Sequence, residues 1–546
     1  MSNAVNPKQK TKAVKAAESA HLNWMGGPSW FLNNPIATLK MAAASCFFGE
    51  PTYYNESGTK EKKTRKADFL AVRARLSQSQ LKHLRDTLNA IDPQEWRSMT
   101  SAQLMESAID KALDFNIEEA LKVAVALRHE DHIRLTPQVI LARAAQHPKI
   151  KGTTLLRQYA QNILFRPDDV VSCFAYTKAK YGKIPTRLKR ALGDKLVTYN
   201  DYQLAKYRME GHEYNLVDTV RMVWPSFNES DPLGRLMKGK LTLSDNETWE
   251  ALISAKGSNH DSWTEAVGVM GHMALLRNLR NLSQNTVDPD LYLEKLVAGV
   301  PEGKQLPFRY FSAYKALEAA GIRNPRVFDA LEECMEVSMA QMPSFIGRVA
   351  SLCDNSGSAW GAITSTMGTM HVAEIANLMG VVTGKMSEEG YVGIFGDRLK
   401  MLPVQKREGV FSQLKKACTA GGNVGGGTEN GIWLFWDKAI REGEHWDHVF
   451  VYSDMQAGHG GLYGTDANAY RNYIWGNNDH YPYIDVPKLI AEYRKKVNPN
   501  VHVYLVQVAG YQDTIVPEFY DKTYILGGWS EGLLQFAHSM SSVPKQ

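Results

Sequence analysis

Cysteine is scarce. The 546 residues hold five, Cys46, Cys173, Cys334, Cys353 and Cys418, with no CxxC pair among them. Thiols so few and so far apart build neither a disulfide framework nor a zinc ribbon, and they fit a reducing compartment, so a cytoplasmic location is expected. Long apolar runs are also missing: nothing approaches the roughly 18–20 residues that a membrane-spanning helix needs. The N-terminus, MSNAVNPKQKTKAVKAAESAHLNW, is basic but lacks the apolar core of a secretory signal. Low-complexity segments are absent too. With 44% hydrophobic and 22% charged residues the composition is that of a folded globular protein. At roughly 150 residues per domain the length suggests two to four domains, each able to bury a full core.

What is present is unevenly divided. The net charge of +5 conceals a split at Pro343. Residues 344–546 carry 17 Lys+Arg against 20 Asp+Glu, a net of −3, which leaves 46 against 38, a net of +8, for residues 1–343. Parts of opposite sign suggest different partners.

The patterning changes at the same place. From about residue 42 to 342, apolar residues recur at three- and four-residue spacing, as at Ala102, Met105, Ala108, Ile109 and Ala112. Asp92-Pro93, Thr100-Ser101, Thr136-Pro137, Pro185-Thr186 and Asn324-Pro325 give helix-start signals between these stretches. This reads as helical pairs of solenoid type without a regular period. After Pro343, short apolar runs at 346–353, 391–395, 448–452, 501–508 and 523–526 alternate with helical stretches at 372–383, 409–417, 430–441, 486–496 and 532–540. That alternation predicts an α/β domain, an open, mostly parallel sheet with helices on both faces. The expected organisation is a tail at 1–35, an all-α repeat module at 36–343 and a doubly wound domain at 344–546.

Ligands of open α/β sheets bind at the carboxyl ends of strands. Three polar segments are predicted there. The first strand runs into Asp354-Asn355-Ser356-Gly357-Ser358, a D-x-S-x-S. A glycine run, GGNVGGG at 421–427, leads to Thr428 at a helix start. The strand HVFVY ends at Ser453-Asp454. Hydroxyls and two carboxylates make an all-oxygen donor set, which suits Mg²⁺ or another hard divalent cation that keeps an open position. Taken singly, the first motif is an ordinary strand-end turn and the second a flexible loop; their conjunction, in order and at element ends, points to a metal site. The glycine run lacks the G-K-[ST] ending of a P-loop. No Ser-His-Asp or Cys-His set can be assembled, so docking rather than catalysis is expected. Directly after Asp454, segment 456–485 holds Tyr463, Tyr470, Tyr473, Trp475, Tyr481 and Tyr483; it is either a recognition surface or a self-packed loop.

D-x-S-x-S with a later Thr and a later Asp resembles the metal-ion-dependent adhesion site of von Willebrand factor A domains. The resemblance implies that Ser356 and Ser358 ligate directly. Asp354 and Asp454 would act directly or through water, Thr428 would bind in one of two states, and the sixth position would be left for an acidic partner.

In the basic half, Lys178, Lys180, Lys183, Arg187, Lys189, Arg190, Lys195, Lys206, Arg208 and Arg221 interleave with Tyr181, Tyr199, Tyr202, Tyr207 and Tyr214. Cations for phosphate with aromatic faces for unstacked bases compose a surface for single-stranded or loop RNA; a solvated helix face has the same composition. Three segments resemble the TROVE module of the Ro autoantigen family: LKMAAASCFFGEPTYYNES at 39–57, MALLRNLRNL at 273–282 and PFRYFSAYKAL at 307–317. A TROVE module followed by an A domain is the Ro architecture, of bacterial or phage type here. The resemblance implies a ring of HEAT-like repeats closed by the A domain, monomeric and without catalysis. It implies binding of small Y-type RNA outside the ring and of 3′ single-stranded ends of misfolded RNA through its hole, in RNA quality control and decay, with an exoribonuclease tethered through the RNA in bacteria. The family's K-Y-K-x-R stretch is similar to Lys206-Tyr207-Arg208-Met209-Glu210, with Glu210 in place of an Arg. Its R-L-x-H is similar to Arg221-Met222-Val223-Trp224, with Trp224 in place of a His. Arg187, Lys189, Arg190, Arg277 and Arg280 are further RNA-contact candidates; the last two share a helix face. The alternative function is a metal-dependent protein-interaction scaffold.

Overall fold

Asn116 opens the helix Ile117–His129 by accepting from the Glu119 N–H at 3.1 Å, with Glu118 and Glu119 in the first turn and Arg128 and His129 in the last, each charge opposing the helix dipole. Its Ile117, Ala120, Leu121, Ala124 and Leu127 form the buried stripe. The same logic repeats along the chain. Asn215 and Asp218 close a capping box on Leu216–Val223, and Asn324 accepts from the Arg326 N–H at 3.1 Å where Pro325–Met339 begins. The computed structural model describes residues 21–22, 28–32, 34–45, 101–210, 212–241, 248–305, 307–361, 370–426, 429–455, 474–475, 483–508, 513–515, 522–528 and 531–541. The chain divides into two compact units, one Ala108–Gln341, the other Met1–Ser107 with Met342–Gln546.

The first unit is helical throughout its described residues. The sequence has no regular spacing of helix starts, yet the structure has a step. Arg143 bonds Asp110 behind it and Tyr176 ahead, each 33 residues away. Arg134 reaches Asp169 across 35, Lys195 the Gln161 carbonyl across 34, Tyr199 the Leu164 carbonyl across 35 and Arg235 Asp201 across 34. Successive helical pairs are thus joined by polar ties of nearly constant length. Helix and loop lengths vary within each pair, which hides the period from the sequence.

In the second unit six strands, β1 (Phe345–Asp354), β2 (Ser387–Phe395), β3 (Leu399–Pro403), β4 (His448–Ser453), β5 (His502–Gln507) and β6 (Thr523–Gly527), lie in the order β6-β5-β4-β1-β2-β3. All neighbours are parallel except β3, which returns antiparallel along β2. Helices Glu429–Glu442 and Val486–Lys496 cover one face through Trp433, Trp436 and Tyr493. On the other, Val372–Lys385 and Glu531–Ser541 are tied down by a hydrogen bond between the Thr383 and Tyr452 hydroxyls and one from the Tyr504 hydroxyl to the Ala537 carbonyl. The order reverses at β1, so the switch-point crevice lies between the ends of β1 and β4.

One expectation needs correction. Helix Pro35–Ser45, placed at the head of the repeat module by sequence, packs on β6 and β5 of the α/β unit. Leu39, Met41, Ala42 and Ala43 are buried, and Gly527 of β6 has no side chain to hold the Met41 backbone away. Nearby, strand Pro28–Phe31 pairs with Asp513–Thr514. Apolar helical periodicity alone does not say which core a helix joins.

Candidate cation site and basic face

Register brings the first site together. Asp354 pairs with Phe395 across β1 and β2, and Cys353 with Tyr452 across β1 and β4, so Asp354 and Ser453 end adjacent strands. The Asp354 carboxylate is fully buried; Oδ1 accepts from the Ser356 N–H at 2.9 Å and Oδ2 from the Ser453 hydroxyl at 2.5 Å. Burial pushes the carboxyl up, against hydrogen bonds from Ser356 and Ser453 that favour the anion. Ser356 and Ser358 place their hydroxyls 3.0 Å apart, both buried. Asp454 is buried, and its carbonyl accepts from Gln507 at 3.1 Å.

The glycine run is fastened to this turn. The Gly357 N–H donates to the Gly426 carbonyl at 2.7 Å, and the Gly426 N–H donates to Asp397 at 3.2 Å. Gly425 takes φ +89°, and a Cβ there would lie 2.1 Å from the Asp397 carboxylate, so only glycine fits. Thr428 lies outside the described residues. So does most of segment 456–485, of which Ile474–Trp475 and Tyr483–Ile484 form a two-stranded ribbon.

Among the described residues no group of three or more His, Cys, Asp or Glu side chains is placed to hold a metal, and no Lys or Arg pairs with Asp354. The donor set is instead two buried carboxylates and two hydroxyls, oxygen throughout. Carboxylate and hydroxyl oxygens are the donor types that a hard divalent ion takes. Sequence reasoning names the donors and places Ser453 at the same strand end, but misses two supports: the amide pair of Asn355 and Asn377, and Asp397. Asp397 stands just past the end of β2, so the strand-end rule would have found it.

The basic candidates stand on or beside four helices of the other unit, Thr186–Leu196, Asp201–Lys206, Leu216–Val223 and His272–Gln284. Thr186–Leu196 buries Leu188, Ala191, Leu192 and Leu196, leaving Arg190 exposed and Arg187 and Lys189 half-buried. Arg187 is committed locally, its Nε donating to the Ala145 carbonyl at 2.5 Å. Lys206 lies against Tyr202 and Tyr207, 5.5 and 5.7 Å from the ring centroids. Arg208 donates to the Leu241 carbonyl at 3.3 Å and pairs with Glu210 at 3.0 Å, so the departure at Glu210 neutralises the arginine two residues before it. Arg277 and Arg280 project to solvent from His272–Gln284 beside the half-exposed Met273.

The third helix, Leu216–Val223, packs against Thr186–Leu196 and ends in Trp224. Arg221 is 65% exposed, with Asp218 3.9 Å away. Trp224 is 85% exposed, with φ +59° and ψ +55°. That left-handed cap position ordinarily favours glycine, and a bulky residue there is strained. Pro225 packs against Gly193 and fixes the turn.

The TROVE domain model matches residues 220–342, a span that includes Trp224, Arg277 and Arg280. Over that span the chain is similar to the TROVE domain, and its fold is similar to that of a Ro protein. The fold likeness is to the crystal structure of the Deinococcus radiodurans Ro protein, with a TM-score of 0.55 at 16% identity, covering 79% of this chain and 93% of that one. Among curated proteins, telomerase protein component 1 of Rattus norvegicus is 22% identical over 37% of this chain, and its Mus musculus counterpart is 30% identical over 26%. The chain spans only 11% and 6% of the length of those two relatives. Two of the three TROVE-like segments, at 273–282 and 307–317, fall within the matched span; residues 46–57 of the third lie outside the described residues.

Proposed function

We propose that this protein is an RNA-binding ribonucleoprotein component whose helical unit takes single-stranded RNA, with small Y-type RNAs and the 3′ tails of misfolded RNAs as ligands in RNA quality control. The observation that carries the reading is Trp224. An indole exposed at a position that favours glycine gains neither packing nor backbone ease, so stability gives no reason for it, whereas an unpaired base stacks on it for about 1–3 kcal/mol. Arg221 lies within a turn of it, and the neighbouring helix carries Lys189 and Arg190 for the phosphates. The TROVE match and the Ro fold support the same reading.

The α/β unit serves as a docking site. Asp354, Ser356, Ser358 and Asp454, with Thr428, would hold Mg²⁺, and the ion would offer an open coordination position to an acidic group of a partner protein. In this reading the protein acts as a scaffold rather than an enzyme, in the cytoplasm, and an exoribonuclease would be engaged through bound RNA.

Fluorescence anisotropy with a hairpin RNA bearing a 3′ single-stranded tail tests the first part. Trp224→Ala is expected to weaken binding about 5- to 100-fold with an unchanged salt slope, matching one lost stack. Neutralising Lys189 and Arg190 should shallow the log K against log salt slope by roughly 0.7 per phosphate contact. Full affinity in both variants contradicts the reading.

A further inference from the structure

The middle of the D-x-S-x-S turn is held by a contact that none of the cation donors makes. Asn355 separates Asp354 from Ser356, and its main-chain N–H donates to the Phe395 carbonyl at the end of β2, 2.7 Å away. Its side chain turns inward. Nδ2 donates to the Cys353 carbonyl at 3.0 Å and to Asn377 Oδ1 at 2.8 Å, while Oδ1 accepts from Asn377 Nδ2 at 2.9 Å. The two amides therefore satisfy each other reciprocally, Asn355 at 1% exposure and Asn377 at none.

Asn377 lies in the middle of Val372–Lys385, a helix buried from Val372 to Gly384, where an apolar residue would be the ordinary choice. A buried amide that loses its partner keeps the full penalty of its desolvation. Asn377 also donates to Cys418 Sγ at 3.5 Å, on the helix that leads into the glycine run. At the end of that helix a Cβ on Gly421 would lie 2.1 Å from Asn355 Oδ1, so the start of the glycine run is pressed against the same amide. One neutral pair thus fixes the donor turn to a helix and to the loop that leads to Thr428. Neutrality matters. An acid at either place would add a third anion beside Asp354, and a base would supply the positive charge otherwise left for the ion.

We propose that Asn377, acting through Asn355, is a positioning residue for the cation site: it sets the spacing of Asp354, Ser356 and Ser358 before an ion arrives. This rests on the cation reading above. Groups that orient metal ligands in this way are typically worth about 10–100-fold in affinity.

The test uses the full chain, Mn²⁺ binding followed by electron paramagnetic resonance, and thermal melting in EDTA. Wild-type protein is expected to take up one Mn²⁺, displaceable by Mg²⁺ and abolished by Asp354→Ala. Asn377→Leu should weaken Mn²⁺ binding at least about 10-fold and lower the melting temperature, because it strands the Asn355 amide. The decisive protein is Asn355→Val/Asn377→Leu. With both partners apolar it should recover most of the melting temperature while Mn²⁺ binding stays weak, a separation that a merely structural pair would not give. If Asn377→Leu does not fold, Asn377→Ser replaces it, with the same loss of Mn²⁺ affinity expected. Wild-type Mn²⁺ affinity in the double variant or in Asn377→Ser overturns the positioning role. A wild-type protein that takes up no Mn²⁺ removes the cation reading itself.

Discussion

Asp169 shows at the scale of one residue how the helical unit spends its charge. The carboxylate is fully buried and accepts from Arg134 at 2.6 Å, Gln138 at 2.7 Å and the N–H groups of Phe165 and Arg166 at 3.0 and 3.1 Å, with Arg128 3.5 Å away. Removing one partner of a buried ion pair leaves the other charge uncompensated, at a cost of about 3–5 kcal/mol. Asp169→Ala should lower the denaturant midpoint of Ala108–Gln341 accordingly, whereas Asp194→Ala, which breaks an exposed pair with Arg157, should change it little. In the other unit His448 and His502 lie 5.5 Å apart on the sheet, both with a pKa lowered to about 4. The cause is first burial and then nearby positive charge: His502 and His538 for His448, Lys522 and Arg494 for His502, with Asp447 opposing at His448. Their unfolded pKa is near 6.5, so unfolding takes up protons between pH 6.5 and 4 and stability falls as pH drops through that window. The melting temperature of the α/β unit should decline across it, with a slope corresponding to at most about two protons. A flat profile would contradict the account. His448→Phe should roughly halve the slope.

Most elements are legible in the sequence because their physics is local. The strands β4 and β5 and the second halves of β1 and β2 are apolar runs buried on both faces, β6 is a half-buried apolar run at the sheet edge, and the helices between them carry 3.6-residue periodicity. β3 is not legible. LKMLP pairs on one side only and buries no residue fully, so no pattern marks it. The candidate cation donors are legible as a motif, since hydroxyl and carboxylate types at fixed spacing are visible in one dimension. Asn355 and Asn377 are not, being 22 residues apart on a strand end and a helix. The destination of helix Pro35–Ser45 is hidden for the same reason, as its docking depends on Gly527 nearly 500 residues later. Gly527→Ala would put a Cβ 2.2 Å from the Met41 carbonyl oxygen. Overpacking of that kind costs about 1–3 kcal/mol. Hydrogen exchange over residues 35–45 should quicken selectively in that variant; unchanged protection there would show that the helix docks by other means.

At the scale of the whole molecule, the charge split at Pro343 does not follow the two units, since Ala108–Gln341 carries 31 Lys+Arg against 29 Asp+Glu; what distinguishes the units is which side chains each one exposes. The helical unit offers Lys189, Arg190, Arg221, Arg277 and Arg280 with the exposed Trp224, and the TROVE match falls within it. The acidic part offers buried carboxylates and hydroxyls at a sheet switch point. The central claim is that RNA is held by the helical unit on the face around Trp224. Ultraviolet crosslinking of the full chain to a 3′-tailed RNA, with mass spectrometry of the adducts, tests it most directly. The account predicts adducts on the peptides that carry Trp224 and Arg221, lost in Trp224→Ala. Adducts confined to residues 342–546, or an unchanged pattern in that variant, would contradict it.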